Sequence, residues 1–341
     1  MRGWMRAACF AAAAVTSVPA IAQTRTILEF ADLQGWAQDR HSEALSVFLD
    51  TCRDLRDPDW QTLCATAAIW TDAKLFFELH FRPVLIEDGK PMLFTGYYEP
   101  ELLGSRYEGG PYQHPLYELP EEAAEGPWLT RAEIEGNAAL EGKGLEIAWL
   151  TDPVDVYFLQ VQGSGRVRLD DGTAIRVGYG GKNGHSYRSI GAELIRRGEM
   201  TEHEVNADRI RDWVKDNGDR GRELLHHNPS YVFFREVSHV PADQGPLGAM
   251  NRSITGLRSI AVDPDYTPLG APVWIETDGA EDLHRLMIAQ DTGAAVKGAQ
   301  RADIFFGTGK AAGKRAGAVR ESGRMIVLLP IQRAYALAEG I

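Results

Sequence analysis

The sequence predicts a mainly β protein with peripheral helices. Two observations carry this. Beyond the first quarter of the chain, apolar segments become short, β-favouring runs separated by turn residues. Glycine is frequent, at 35 of 341 residues, which suits many tight turns. Short strands with Gly-rich turns favour β-barrels over a parallel α/β sheet. No repeat or low-complexity linker interrupts the pattern.

The elements follow in order. Met1 to Arg6 carries two arginines, Ala7 to Pro19 is apolar, and Ala20-Ile21-Ala22 places small residues where a signal peptidase reads. This predicts a secretory leader cleaved after Ala22, and an exported, periplasmic product. The apolar run is too short to span a bilayer. From Gln23 to about Arg82 the chain reads as helical, with helices over 42–54 and 58–80. Asp57-Pro58-Asp59 is a good start for the second, with Pro at the first position and acids in the first turn. Cys52 and Cys64 remain after cleavage, and an oxidising compartment favours their pairing. A bridge over so short a loop contributes about 2–3 kcal/mol. Residues 91–98 read as a strand. Thr130-Arg131-Ala132-Glu133 is a capping box opening a short helix. Strands are expected at 146–151, 155–162, 165–169 and 174–179, with Asp171-Gly172 as the hairpin turn between the last two. Helices follow near 190–198 and 207–217. Strands return at 231–234, 259–262, 272–277, 285–291 and 325–329.

Charge excludes one class of partner. Lys and Arg number 36 against 48 Asp and Glu, a net −12, so nucleic acid is a poor ligand. Loss of Arg2 and Arg6 with the leader makes this −14. The last 51 residues run the other way: eight basic and four acidic side chains give +4, which suits an anionic ligand locally.

Several catalytic motifs fail. His203-Glu204 lacks the second histidine of a zinc-protease helix, and Gly178 to Asn183 lacks the spacing of a phosphate loop. Gly163-Ser164-Gly165 lacks the flanks of a nucleophile elbow. The nine histidines form no ligand cluster, so no metal is expected.

Three aspartates are more informative. Asp263 and Asp291 each follow an apolar strand, and Asp303 directly precedes one. A carboxyl at such an edge is partly desolvated, which raises its proton affinity and suits it to donate a proton. Asp291-Thr292-Gly293 also matches an aspartic-protease loop. A pepsin-like chain needs two such loops, and only one is present.

Six ordered motifs then show a family resemblance. They are Thr95-Gly96-Tyr97-Tyr98-Glu99-Pro100, Phe158 to Val167, Asn228 to Arg235, Gly245 to Ala249, Arg258 to Gly270, and Asp291-Thr292-Gly293 with Ala302 to Gly307. Over about residues 85–330 the chain resembles the membrane-bound lytic murein transglycosylase A family, with its C-terminal three-aspartate domain. The resemblance implies a double-psi β-barrel formed by 23–104 plus 243–341. A second β-barrel, 105–242, would be inserted into it, with a glycan groove between the two. It implies cleavage of the bond between N-acetylmuramic acid and N-acetylglucosamine in peptidoglycan, leaving a 1,6-anhydromuramic end, with no cofactor. Asp303 would be the acid/base, supported by Asp291 and Asp263. Thr95, Gly96, Tyr97, Tyr98, Gln162 and Ser164 would contact the glycan. The expected partners are a glycan strand and cell-wall synthesis or division proteins, and the chain is expected to act as a monomer. One departure stands out: no lipobox precedes Cys9, so a lipid anchor is not expected. A non-catalytic glycan-binding module and a lysozyme-like hydrolase are the alternatives, with an aspartic protease more remote.

Overall fold

The computed structural model describes residues 23–279 and 282–340. The expected leader and its cleavage site, 1–22, lie outside the described residues. No helix among those described is long and apolar enough to cross a membrane.

Fifteen strands are described: β1 (Thr24–Ile27), β2 (Phe81–Glu87), β3 (Leu93–Glu99), β4 (Glu101–Ser105), β5 (His114–Tyr117), β6 (Glu146–Leu150), β7 (Gly165–Leu169), β8 (Ala174–Lys182), β9 (Val232–Glu236), β10 (Ser259–Val262), β11 (Pro272–Thr277), β12 (His284–Thr292), β13 (Arg301–Thr308), β14 (Arg320–Glu321) and β15 (Gly323–Pro330). The helices are α1 (His41–Thr51), α2 (Pro58–Ala67), α3 (Ala73–His80), α4 (Glu121–Ala124), α5 (Arg131–Gly136), α6 (Pro153–Gln162), α7 (Ile190–Arg196), α8 (Ala207–Asp216), α9 (Gly218–His226), α10 (Gly309–Ala318) and α11 (Ile331–Glu339).

The strands form two sheets, so the expectation of a mainly β fold with peripheral helices holds. Nine strands, in the order β1-β2-β15-β11-β12-β10-β13-β3-β14, roll into a nearly closed barrel. The other six, β5-β6-β4-β7-β8-β9, make the second sheet. The chain leaves the first sheet at Glu99 and enters the second at Glu101, two residues later. Alternation decides which side chains enter the barrel. Phe94, Ile260, Val262, Ala302, Ile304 and Phe306 point into its core, so their sequence neighbours Thr95, Ala261, Asp303 and Phe305 face outward. Helices α1 to α3 close one side of this core, where Phe48, Phe76, Phe77 and Phe81 form a ring cluster. Cys52 and Cys64 are joined by a disulfide. Helices α6 to α9 bury a core of their own through Tyr157, Leu194, Val214 and Leu224.

Some local expectations are corrected. Residues 155–162 are a helix, not a strand. Asp152 caps it by accepting from Val154 N, Pro153 takes the first turn, and Gly163 ends it at φ 77°. Those boundary residues outweigh the β-favouring Val and Tyr within. The single helix expected over 58–80 is two, because Asp72 caps a new start by accepting from Leu75 N. The expected helical character of 23–82 gives way at its start to β1, which pairs antiparallel with β2. Asp303 is not before a strand but is its third residue.

Candidate active site

Strand register builds the site. Asp291 of β12 and Asp303 of β13 both sit opposite Ala261 of β10. Asp303 sits opposite Thr95 of β3, and Thr95 opposite Arg320 of β14. Residues paired across strands share a face. Asp291, Ala261, Asp303, Thr95 and Arg320 therefore form one row on the outer face of the barrel. Alanine between the two aspartates leaves room for both carboxyls. A register shift in β12 completes the row: Ile260 pairs with Ala289 but Ala261 with Asp291. The extra residue, Gln290, turns fully inward, where Ser259 Oγ donates to it and its own amide donates to Thr51 Oγ1. Without this shift Gln290 would occupy the row, as expected of a bulge that re-aims a side chain.

The two carboxyls are held differently. Asp291 accepts three hydrogen bonds: from Ala249 N and Thr292 N at 2.9 Å, both to Oδ1, and from the Tyr97 hydroxyl at 2.9 Å to Oδ2. Asp303 Oδ1 accepts from Thr95 Oγ1 at 2.8 Å. Its Oδ2 has no hydrogen-bond partner among the described residues. Arg301, two residues earlier on the same face, donates to Thr95 Oγ1 at 2.9 Å. Desolvation raises the pKa of Asp303 above the usual carboxylate value, against the opposing pull of Arg301 and Thr95. Desolvation also raises Asp291 despite its three donors, and the charge of Asp303 adds to this. Burial and the charge of Asp291 keep the Tyr97 phenol protonated well beyond its ordinary range. Its ring packs 5.2 Å from that of Phe305.

Asp263 differs in kind. It is buried, yet burial is outweighed by donors from Gly298 N at 2.9 Å and Lys297 Nζ at 3.1 Å, so its pKa is lowered. It makes no hydrogen bond to Asp291 or Asp303. Of the other expected contacts, Thr95 and Tyr97 face the row. Gly96 and Tyr98 face the opposite way, toward α10: a Cβ on Gly96 would lie 2.7 Å from Ala316 Cα, and one on Gly313 2.6 Å from the Tyr98 ring. Gln162 reaches back from the end of α6 to accept from Tyr98 N at 3.1 Å. Ser164 is buried just before β7, behind the α6 C-terminal turn. Sequence reading missed Ala261, Arg301 and Arg320. The alternation Arg301-Ala302-Asp303-Ile304-Phe305 was the available signal for the second.

Two cavities adjoin the row. One, of about 920 Å³, has Phe305, Gly307, Leu247 and Arg166 in its wall. The other, of about 560 Å³, has Gln162, Phe158, Tyr187 and Arg320. Phe305 shares the outward face with the carboxyls and Arg320 belongs to their row, though neither cavity has Asp291 or Asp303 in its wall. Among the described residues no group of three or more His, Cys, Asp or Glu is placed to hold a metal ion.

A barrel with outward-facing paired carboxyls, coupled to a second sheet, defines the class: a 3D domain, matched over residues 258–329, joined to an MltA specific insert domain, matched over 93–235. The chain belongs to the membrane-bound lytic murein transglycosylase A family. It is 38% identical over 246 residues to that protein of Escherichia coli K12, covering 69% of this chain and 65% of the relative's length. The chain thus spans just under two thirds of that relative. Against the Vibrio cholerae protein it is 36% identical over 261 residues, 72% and 68% of the two chains. The crystal structure of a membrane-bound lytic murein transglycosylase from Agrobacterium tumefaciens superposes with a TM-score of 0.82 at 31% identity, covering 92% of this chain and 99% of that one. E. coli MltA with bound chitohexaose gives 0.71 at 29% identity, covering 86% and 90%.

Proposed function

We propose that this protein is a lytic transglycosylase that cleaves the β-1,4 bond between N-acetylmuramic acid and N-acetylglucosamine in peptidoglycan, leaving 1,6-anhydromuramic ends. The carrying observation is the contrast between the two carboxyls. Both have raised proton affinity, but Asp291 has both oxygens engaged by its three donors, whereas Asp303 keeps an open Oδ2. An open, protonated oxygen can reach a leaving group; a saturated one positions its donors.

Glycosidic cleavage needs an acid at the leaving oxygen and passes through an oxocarbenium-like transition state. Asp303 Oδ2 delivers that proton. Now a carboxylate, it takes the proton from the sugar's own 6-hydroxyl as that oxygen closes on C1. The intramolecular hydroxyl outcompetes water because it is already positioned. Thr95 and Arg301 hold Asp303 in place, and Asp291 orients the Tyr97 hydroxyl. The chitohexaose-bound relative supports glycan binding. Asp263, with its donors satisfied locally, serves this reading as a turn anchor. We read the chain as two units, 23–104 plus 243–341 and 105–242, acting as a monomer in the periplasm on a glycan strand.

Mass spectrometry of digested murein tests this. The wild type should release anhydromuropeptides. Asp303→Asn should lose this activity by about 10²–10⁴-fold while keeping its circular dichroism spectrum. Products carrying added water would identify a hydrolase instead, and binding without products a glycan-binding module.

A further inference from the structure

The cavity beside Arg320 has no part in the acid/base chemistry. Its walls are the exposed edge of α6, the first turns of α7 and α8, the loop between them, and β14. Most of the lining is apolar or aromatic: Phe158, Val161, Tyr187, Ile190 and Ile195. Its size suits a small ligand, and the mix of an apolar wall with few polar groups is that of a binding pocket. Ser189 and Asn206 are occupied in capping α7 and α8. Two charged groups remain. Glu202 is exposed at the rim. Arg320 is exposed, with no ion-pair partner among the described residues. Its register places it two strand spacings from Asp303, about 10 Å along the same face.

An unpaired guanidinium matches a carboxylate with two parallel hydrogen bonds. A bare polysaccharide of amino sugars offers no such group. Muramic acid does, through its lactyl ether and the short peptide attached there. We propose that this cavity receives the peptide branch of the muramic acid ring, with Arg320 binding a branch carboxylate and the apolar wall packing against its methyl groups. The inference rests on the murein-cleaving reading above. It adds a specificity-determining site that recognises the branch rather than the sugar.

The test compares kcat/KM on murein strands that retain their peptides with kcat/KM on strands stripped of peptide by an amidase. Arg320→Gln should lower the ratio of the two about tenfold, the loss expected for one charge-assisted contact of about 1.4 kcal/mol. Ala192→Trp, at an exposed first-turn position of α7, should fill the cavity and lower the ratio as well. An unchanged ratio in both variants would overturn the proposal. So would equal losses on both substrates, since Arg320 would then serve the sugar backbone or the lactyl carboxylate that the amidase exposes, not the peptide. If the wild type releases no anhydro product from either strand, the murein-cleaving reading itself fails. That result is distinct from a ratio that does not move.

Discussion

Asp303 and Asp263 make opposite demands on stability. Asp303 has a raised pKa in the folded protein, so folding favours its protonated form. Its contribution is fully present below the ordinary carboxylate value and is lost as pH rises through the folded pKa. Asp263 has a lowered pKa. Its contribution is present above the ordinary value and is lost as pH falls through the folded pKa. Urea denaturation should show this as opposite signs. Asp303→Asn should be more stable than wild type at neutral pH, with the gap closing in acid. Asp263→Asn should be less stable at neutral pH by about 1.5–3 kcal/mol, the range for hydrogen bonds to a charged group, with the gap again closing in acid. Equal signs would show that the two carboxyls are held alike. A stabilising neutralisation at Asp303 is the trade-off expected if it is the proposed acid.

At the scale of elements, capping and covalent links set boundaries that hydrophobic pattern alone does not. Helix α6 shows the limit of pattern. Val154, Val156 and Tyr157 favour strands by composition, but the Asp152-Pro153 start and the Gly163 stop fix a helix whose Gln162 then accepts from Tyr98 N. Those boundary signals are legible in the sequence, and they override the strand-favouring composition. Cys52, just after α1, and Cys64, inside α2, are linked across twelve residues of sequence. Replacing both with serine should reduce stability by about 2–3 kcal/mol, read as a lowered Tm under oxidising conditions and no difference from wild type under reducing ones. A variant as stable as the oxidised wild type would mean the bridge does not constrain the unfolded chain.

The whole molecule brings together what the sequence keeps apart. Asp291 and Asp303 stood out in sequence as aspartates at strand edges, but their convergence on Ala261 depends on a parallel pairing and a one-residue shift. Neither is encoded by local pattern. The same is true of the junction between the sheets. Glu99, in the most recognisable motif of the chain, is fully buried at the end of β3. It accepts from Arg166 Nε at 2.9 Å on β7, from Arg176 Nε at 2.7 Å on β8 and from Thr308 Oγ1 at 2.7 Å on β13. Both arginines also donate to Gln244 O, in the segment returning from the second sheet to the barrel. One carboxylate therefore links the outgoing chain, the second sheet and the strand that carries Asp303. Glu99→Gln keeps the shape but leaves two guanidinium groups without a counter-charge, and Arg176 is almost entirely enclosed. Breaking a buried pair this way costs about 3–5 kcal/mol. Because the cluster is the charged link between the two sheets, urea unfolding of Glu99→Gln should separate into two transitions, one per sheet. Murein cleavage should fall with the first. A single transition at the wild-type midpoint would show instead that apolar packing alone couples the sheets.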